Sequence, residues 1–194
     1  MREITFDIET KIVGFGRGRL NPEELEITVV GVHDSETNEY TGYFVEDLPR
    51  LWPVIERADA LIGYNSDHFD IPVLNKYYPG DLSKIRSIDL MAEVQKVLGR
   101  RVRLEAIAQA TLGRGKSGDG LEAGTWWENG EKDKVRDYCL DDVRLTRELY
   151  DFALANGFLK YKDLRDIRDV KLDTRGWRKK AKETPAPLTH TLGF

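Results

Sequence analysis

The pattern of apolar and polar positions divides the chain into alternating strands and helices. The first residues run as a strand into Phe6-Asp7-Ile8-Glu9-Thr10, where residues two apart share a face of the sheet. Glu26 to His33 and Glu39 to Val45 are rich in β-branched and aromatic residues, and the polar cluster Asp34 to Asn38 separates them. They predict a hairpin. Asp47 offers an N-cap for a helix through Leu51, Val54, Ile55 and Ala58, with Pro53 near its first turn. Ala60 to Gly63 is a short apolar run expected to be a buried strand. Between Gly63 and Leu74 a loop gives way to a helix carrying Ile71, Val73 and Leu74. Ile85 to Leu90 predicts another short strand, and Met91 to Leu98 and Leu104 to Leu112 have helical spacing.

The longest predicted helix spans Lys132 to Asn156, with apolar positions at Val135, Cys139, Leu145, Leu149, Phe152 and Ala153 and a stop at Gly157. Phe158 to Leu172 alternates charge densely and is expected to form a strand pair or an extended segment. From Thr184 the chain is a tail containing Pro and Thr. The order of elements predicts an α/β fold with a mixed central β-sheet flanked by α-helices. Residues 1–157 are expected to form the main domain, 158–183 a basic extension packed on or beside it, and 184–194 a flexible tail.

Composition narrows the class. The chain has 194 residues, of which 40% are hydrophobic and 33% charged, values of an ordinary globular protein. No apolar run approaches a membrane span, and no basic stretch followed by an apolar one opens the chain, so a cytoplasmic location without membrane contact is expected. The single cysteine, Cys139, lies in an apolar helical pattern and is expected to be a small core residue. The net charge of −4 argues against a binder driven by charge alone. Its distribution is uneven: Lys160 to Glu183 carries ten basic and five acidic residues. A basic surface beside an acidic centre suits an enzyme that handles phosphates.

Several local patterns carry candidate chemistry. Asp7 and Glu9 would place two carboxylates side by side on one strand, where they repel unless a cation lies between them; a hard divalent cation is the expected occupant. Asp70 stands at a loop-helix junction, where unpaired backbone amides also favour a carboxylate as a simple cap. Asn65 is placed to order the same turn. Tyr138 and Asp142, four apart, share the buried stripe of the long helix, and a carboxylate there is costly unless paired or bound to a cation. Asp141, about 100° away, is expected at the surface.

Other motifs fail. Gly14, Gly16 and Gly18 lack the third glycine of a dinucleotide fingerprint, because Arg19 stands in its place. Gly115-Lys116-Ser117 lacks the earlier glycine and the preceding strand of a phosphate loop, though Lys116 remains a candidate for contact with a nucleic-acid backbone. His68 has no partner at zinc-ligand spacing. Arg100, Arg101 and Arg103 form a basic connector, read either as a solvated surface or as a phosphate contact. Trp126 and Trp127 are candidates for base stacking or for packing at a helix start.

Taken in order, FDIET, the N-x-x-x-F-D of NSDHFD and the Y-x-x-x-D of YCLDD resemble the three motifs of the DEDD 3′-5′ exonucleases. These have a ribonuclease H-like fold, and the resemblance spans about Met1 to Gly157. It is nearest to the tyrosine subgroup, as in the proofreading domains of family B DNA polymerases and the YprB-like stand-alone domains. The histidine subgroup would have His where Asp137 stands. The resemblance implies that Asp7, Glu9, Asp70 and Asp142 bind two divalent cations, Mg²⁺ or Mn²⁺, and that Tyr138 orients the attacking water. It further implies that Thr10, Asn65, Phe69 and Lys116 contact the 3′ end of a single-stranded nucleic acid, DNA in preference to RNA. Alternatives are a structure-selective endonuclease or ribonuclease on the same fold, and a non-catalytic binding module. Neither a replication nor a repair partner is identified.

Overall fold

Strand β1 (Glu3–Ile12) divides its side chains between two layers. In the computed structural model, which describes residues 1–12, 24–115, 120–164 and 166–179, Ile4, Phe6 and Ile8 enter one apolar cluster. Glu3 and Asp7 face the opposite way, toward the long helix. Strand β2 (Leu25–Asp34) is antiparallel to β1, and β3 (Glu39–Phe44) is antiparallel to β2. On the other side of β1, β4 (Ala60–Gly63) and β5 (Ser87–Asp89) run parallel to it. The sheet order is β3-β2-β1-β4-β5. This is the mixed sheet expected from the sequence, with β2 and β3 forming the predicted hairpin.

Helices cover both faces. α1 (Leu48–Ile55) and α2 (Asp70–Leu74) bury Leu51, Ile55, Val73 and Leu74 completely against the even-numbered face of β1. Full burial of such a side chain contributes about 1.5–3 kcal/mol. α3 (Leu90–Leu98), α4 (Leu104–Leu112) and α6 (Lys132–Asn156) pack on the other face around Ile62, Ile88, Ile107, Leu145 and Leu149. α5 (Gly120–Glu128) lies against the start of α6. Asp47 precedes α1 as expected, but its side chain caps no amide and takes Arg50 at 3.3 Å instead. Among the described residues, no helix is long and apolar enough to cross a membrane.

One irregularity shapes the end of β1. The register passes from Glu9 opposite Val29 to Thr10 opposite Ile27, leaving Thr28 as an extra residue in β2. Such a bulge bends the strand and re-aims the side chains beyond it. It also reverses the parity of β2: Leu25 and Ile27, then Val30 and Val32, all reach the same cluster. The Thr28 hydroxyl donates to the Glu9 carbonyl at 3.0 Å, which fixes the bulge beside that carboxylate.

Gly31, the register partner of Asp7, sets the approach of α6. A Cβ there would stand 3.0 Å from both Cys139 Sγ and a Val143 methyl, tighter than ordinary van der Waals contact. The missing side chain lets the helix lie close to the sheet where the acidic residues are.

Beyond Gly157, β6 (Phe158–Asp163) and β7 (Asp166–Lys171) form an antiparallel hairpin. Leu159, Val170, Leu172 and Trp177 are buried in the cluster under α6. Trp177 stacks on Tyr150 with centroids 5.4 Å apart. Glu3, 2% exposed, joins these parts: it accepts from the Tyr150 hydroxyl at 2.6 Å, from Arg147 at 3.1 Å and from Arg178 at 2.8 and 3.0 Å. Burial pushes its carboxyl up, but these donors and positive charges outweigh burial and hold it below the ordinary carboxylate range.

Candidate metal centre

The pleat of β1 puts Asp7 and Glu9 on one face, and α6 crosses that face with Asp142 on its buried stripe. One carboxylate oxygen from each of Asp7, Glu9 and Asp142 lies within 4.8 Å of the others. Three negative groups this close repel strongly in a partly buried site. Their donor set is all oxygen, which fits a hard divalent cation such as Mg²⁺ or Mn²⁺ and disfavours zinc, whose sites favour nitrogen and sulfur.

Asp70 is not one of the three whose oxygens meet within 4.8 Å, but it lies beside the strand that carries two of them. β4 ends at Gly63, so β1 runs on past it, and there the Asp70 carboxylate accepts the Ile8 N–H at 3.2 Å. That peptide lies between the two strand carboxylates. The Asp70 carboxyl is raised to about 7: burial is the main cause, the amides of Asp70 and Ile8 partly counter it, and the charges of Asp89 and Asp142 add to the rise. A carboxyl poised there can exchange its proton for a cation near neutral pH.

The turn that delivers Asp70 is built on Asp89, the last residue of β5. Its carboxylate accepts from Asn65 N at 2.8 Å and Asp67 N at 3.2 Å. It also caps α3 through Met91 N and Ala92 N at 2.9 and 3.3 Å. Asn65 takes a left-handed conformation, φ 69°, and its carbonyl accepts from His68 and Phe69. Asn65 therefore orders the turn through its backbone, while Phe69 precedes α2 and packs against the α1 and α2 core. A carboxylate directly before a helical apolar pattern is an N-cap signal, and that much of the role of Asp89 was legible.

Tyr138 lies one turn before Asp142 on α6 and is 4% exposed. Its ring meets Trp126 edge-on, with centroids 5.9 Å apart and planes at 73°. Trp126 and Trp127 lie at the end of α5 and pack at the start of α6, as one of the two expectations had it; Trp127 tilts against Phe44, and Nζ of Lys132, the first residue of α6, stands 4.9 Å from the Trp127 centroid. Cys139 is buried as expected, but it also faces the acidic group: its thiol lies 3.4 Å from the Asp7 carbonyl and 3.6 Å from Asp7 Oδ2, to which it donates. Burial, with the charges of Asp7 and Glu9, pushes that thiol well above its ordinary range, so it stays protonated. Asp141 pairs with Arg144 at 2.7 Å, as a surface charge would. Thr10 lies at the bulge. Lys116, the glycines at 14, 16 and 18, and the tail lie outside the described residues.

A family model described as the RNase_H superfamily matches residues 4–154. No curated protein matches the chain. Among solved structures, the chain is similar to the family B DNA polymerase from the hyperthermophilic archaeon Pyrobaculum calidifontis, with a TM-score of 0.59 and 19% identity. The match covers 79% of this chain and 24% of the polymerase chain, so the resemblance concerns about a quarter of that enzyme's length.

Proposed function

We infer that this chain, which belongs to the RNase_H superfamily, is a metal-dependent 3′-5′ exonuclease that removes nucleotides from a single-stranded end. The observation that carries this reading is the meeting of Asp7, Glu9 and Asp142 oxygens within 4.8 Å, with Asp70 bonded to the peptide between the first two. The likeness of its three motifs to those of the tyrosine-type DEDD exonucleases, proofreading domains among them, supplies the direction of attack. Asp7, Glu9, Asp70 and Asp142 would hold the cations.

A pair of divalent cations bound there would neutralise the acidic group and stabilise the charge that develops on the attacking and leaving oxygens. The chain's own residues supply position. The sheet fixes Asp7 and Glu9, the Asp89-braced turn fixes Asp70, and α6 carries Asp142 together with Tyr138. A phenol is a poor base at neutral pH, with an unperturbed pKa of about 10, so Tyr138 orients the attacking water and does not deprotonate it. Thr10, Asn65, Phe69 and Lys116 are the residues assigned to the terminal nucleotides, and DNA is favoured over RNA.

The direct test of polarity uses two single strands in Mn²⁺, one linear and 5′-labelled, the other circular. The linear strand should give a ladder that shortens from its 3′ end while the circle stays intact. Cutting of the circle would replace the exonuclease by an endonuclease on the same fold.

A further inference from the structure

The connector between α3 and α4, residues 99–103, lies at the same end of the sheet as the carboxylates. Thr5 of β1 is in register with Ile62 of β4, and β4 ends at Gly63, so Tyr64 is the first residue beyond the strand, at the end of the sheet toward which β1 runs on to Asp7 and Glu9. The Tyr64 hydroxyl donates to the Val102 carbonyl at 2.8 Å, and the Val102 side chain is buried in the cluster under α6. The connector is thereby pinned to the residue that follows β4. Arg101 and Arg103 flank that anchor and are both exposed. Alternation around a buried residue sends the two side chains outward together, with their Cα atoms about 7 Å apart in an extended chain. Arg100 is held beside them by the hairpin: it donates to the Tyr161 hydroxyl at 2.6 Å and lies 5.1 Å from that ring's centroid.

Most of the described arginines pair with acids, while Arg57 and Arg86 have no acidic partner among the described residues and donate to backbone carbonyls instead. On α6, Arg136 pairs with Asp133, Arg144 with Asp141 and Arg147 with Glu3. Arg100, Arg101 and Arg103 have no acidic partner among the described residues, in a chain that holds 34 acidic residues against 30 basic ones. Positive groups left without acids next to an acidic centre mark the path of an anion that comes from outside the fold.

We propose that Arg101 and Arg103, with Arg100 beside them, form the track for the phosphodiester backbone of the strand whose 3′ end enters the carboxylate centre. The proposal rests on the exonuclease reading and adds to it where the rest of the substrate runs. The cations neutralise the acidic group at the reacting phosphate; the arginines serve the phosphates behind it. Sequence-independent affinity and its salt dependence reside in such contacts.

Fluorescence anisotropy with 5′-fluorescein dT12 and rU12 in Ca²⁺, titrated over a range of salt, tests the track. Arg101→Ala/Arg103→Ala should weaken both complexes roughly tenfold at low salt and reduce the slope of log K against log salt by about 1.4, the value for two single-strand phosphate contacts. Lys84→Ala, which removes an exposed charge paired with Asp81, should change neither quantity. If the double variant binds with wild-type affinity and slope a strand that the wild type binds and shortens, the track is wrong and the exonuclease reading stands. A loss confined to one of the two oligonucleotides also overturns it, because both carry the same backbone phosphates. A wild type that neither binds nor trims either strand overturns the track and the functional reading together.

Discussion

Asp70 shows what one carboxyl contributes when it is buried among others. Its folded-state pKa is raised to about 7, against about 3.9 for an unperturbed aspartate. Between those values the folded chain binds more protons than the unfolded one, so stability falls as pH rises through that window and levels off above it. Thermal unfolding in EDTA should therefore show Asp70→Asn gaining on the wild type between about pH 4 and pH 7, by an amount on the order of 2–4 kcal/mol. Added Mn²⁺ should restore the wild type most strongly above pH 7, where the carboxyl gives up its proton without cost to binding. A difference between the two proteins that is flat with pH would mean that Asp70 is ionised throughout. Tyr138 invites a test of a different kind. Its ring is braced by Trp126 at 5.9 Å, so Trp126→Ala and Tyr138→Phe should each slow hydrolysis, and the double variant should lose little more than the slower single variant. Fully additive losses would show that Trp126 acts elsewhere.

At the scale of elements, the distance between β1 and α6 decides whether the carboxylates meet. Gly31 permits that distance, since a Cβ would press on Cys139 and Val143 at 3.0 Å. Gly31→Ala should cost about 1–3 kcal/mol in chemical denaturation and should lower metal-dependent hydrolysis by moving Asp142 away from Asp7. An alanine variant with unchanged stability and activity would mean that α6 yields freely at this point. Much of this layer was legible beforehand. The bounds of α6 agree with the 132–156 expected from its apolar stripe, and β4 with the expected 60–63, because burial on one face writes its period into the sequence. The bulge at Thr28 was not, although its trace is there: the apolar parity changes between Ile27 and Val30. Reading that change as a bulge requires the register of the neighbouring strand, which local sequence does not carry. The distant contacts of Asp89 and Cys139 were hidden for the same reason, since those partners lie 22 to 24 and 132 residues away.

For the whole molecule, the acidic centre and the arginine connector describe one polarity across a chain of net charge −4. The sum of charges conceals this arrangement. Glu3 makes the same point from the opposite direction. An acidic residue at the start of a strand, it is buried and ties β1 to α6 and to the segment around Arg178. The placement of Asp7 and Glu9 on one face of a strand and of Asp142 on the buried stripe of a helix was legible because both elements have a known period. The groups that position them were less so, because packing and hydrogen bonding over long separations admit many residue types.

The central question for this chain is whether the carboxylate group is the seat of hydrolysis. The most direct measurement is a time course with 5′-labelled single-stranded DNA in Mn²⁺, run on the wild type and on Asp7→Ala, with circular dichroism to establish that both are folded. The expected result is a ladder receding from the 3′ end with the wild type and loss of nearly all cleavage in the folded variant. Undiminished shortening by Asp7→Ala would contradict it.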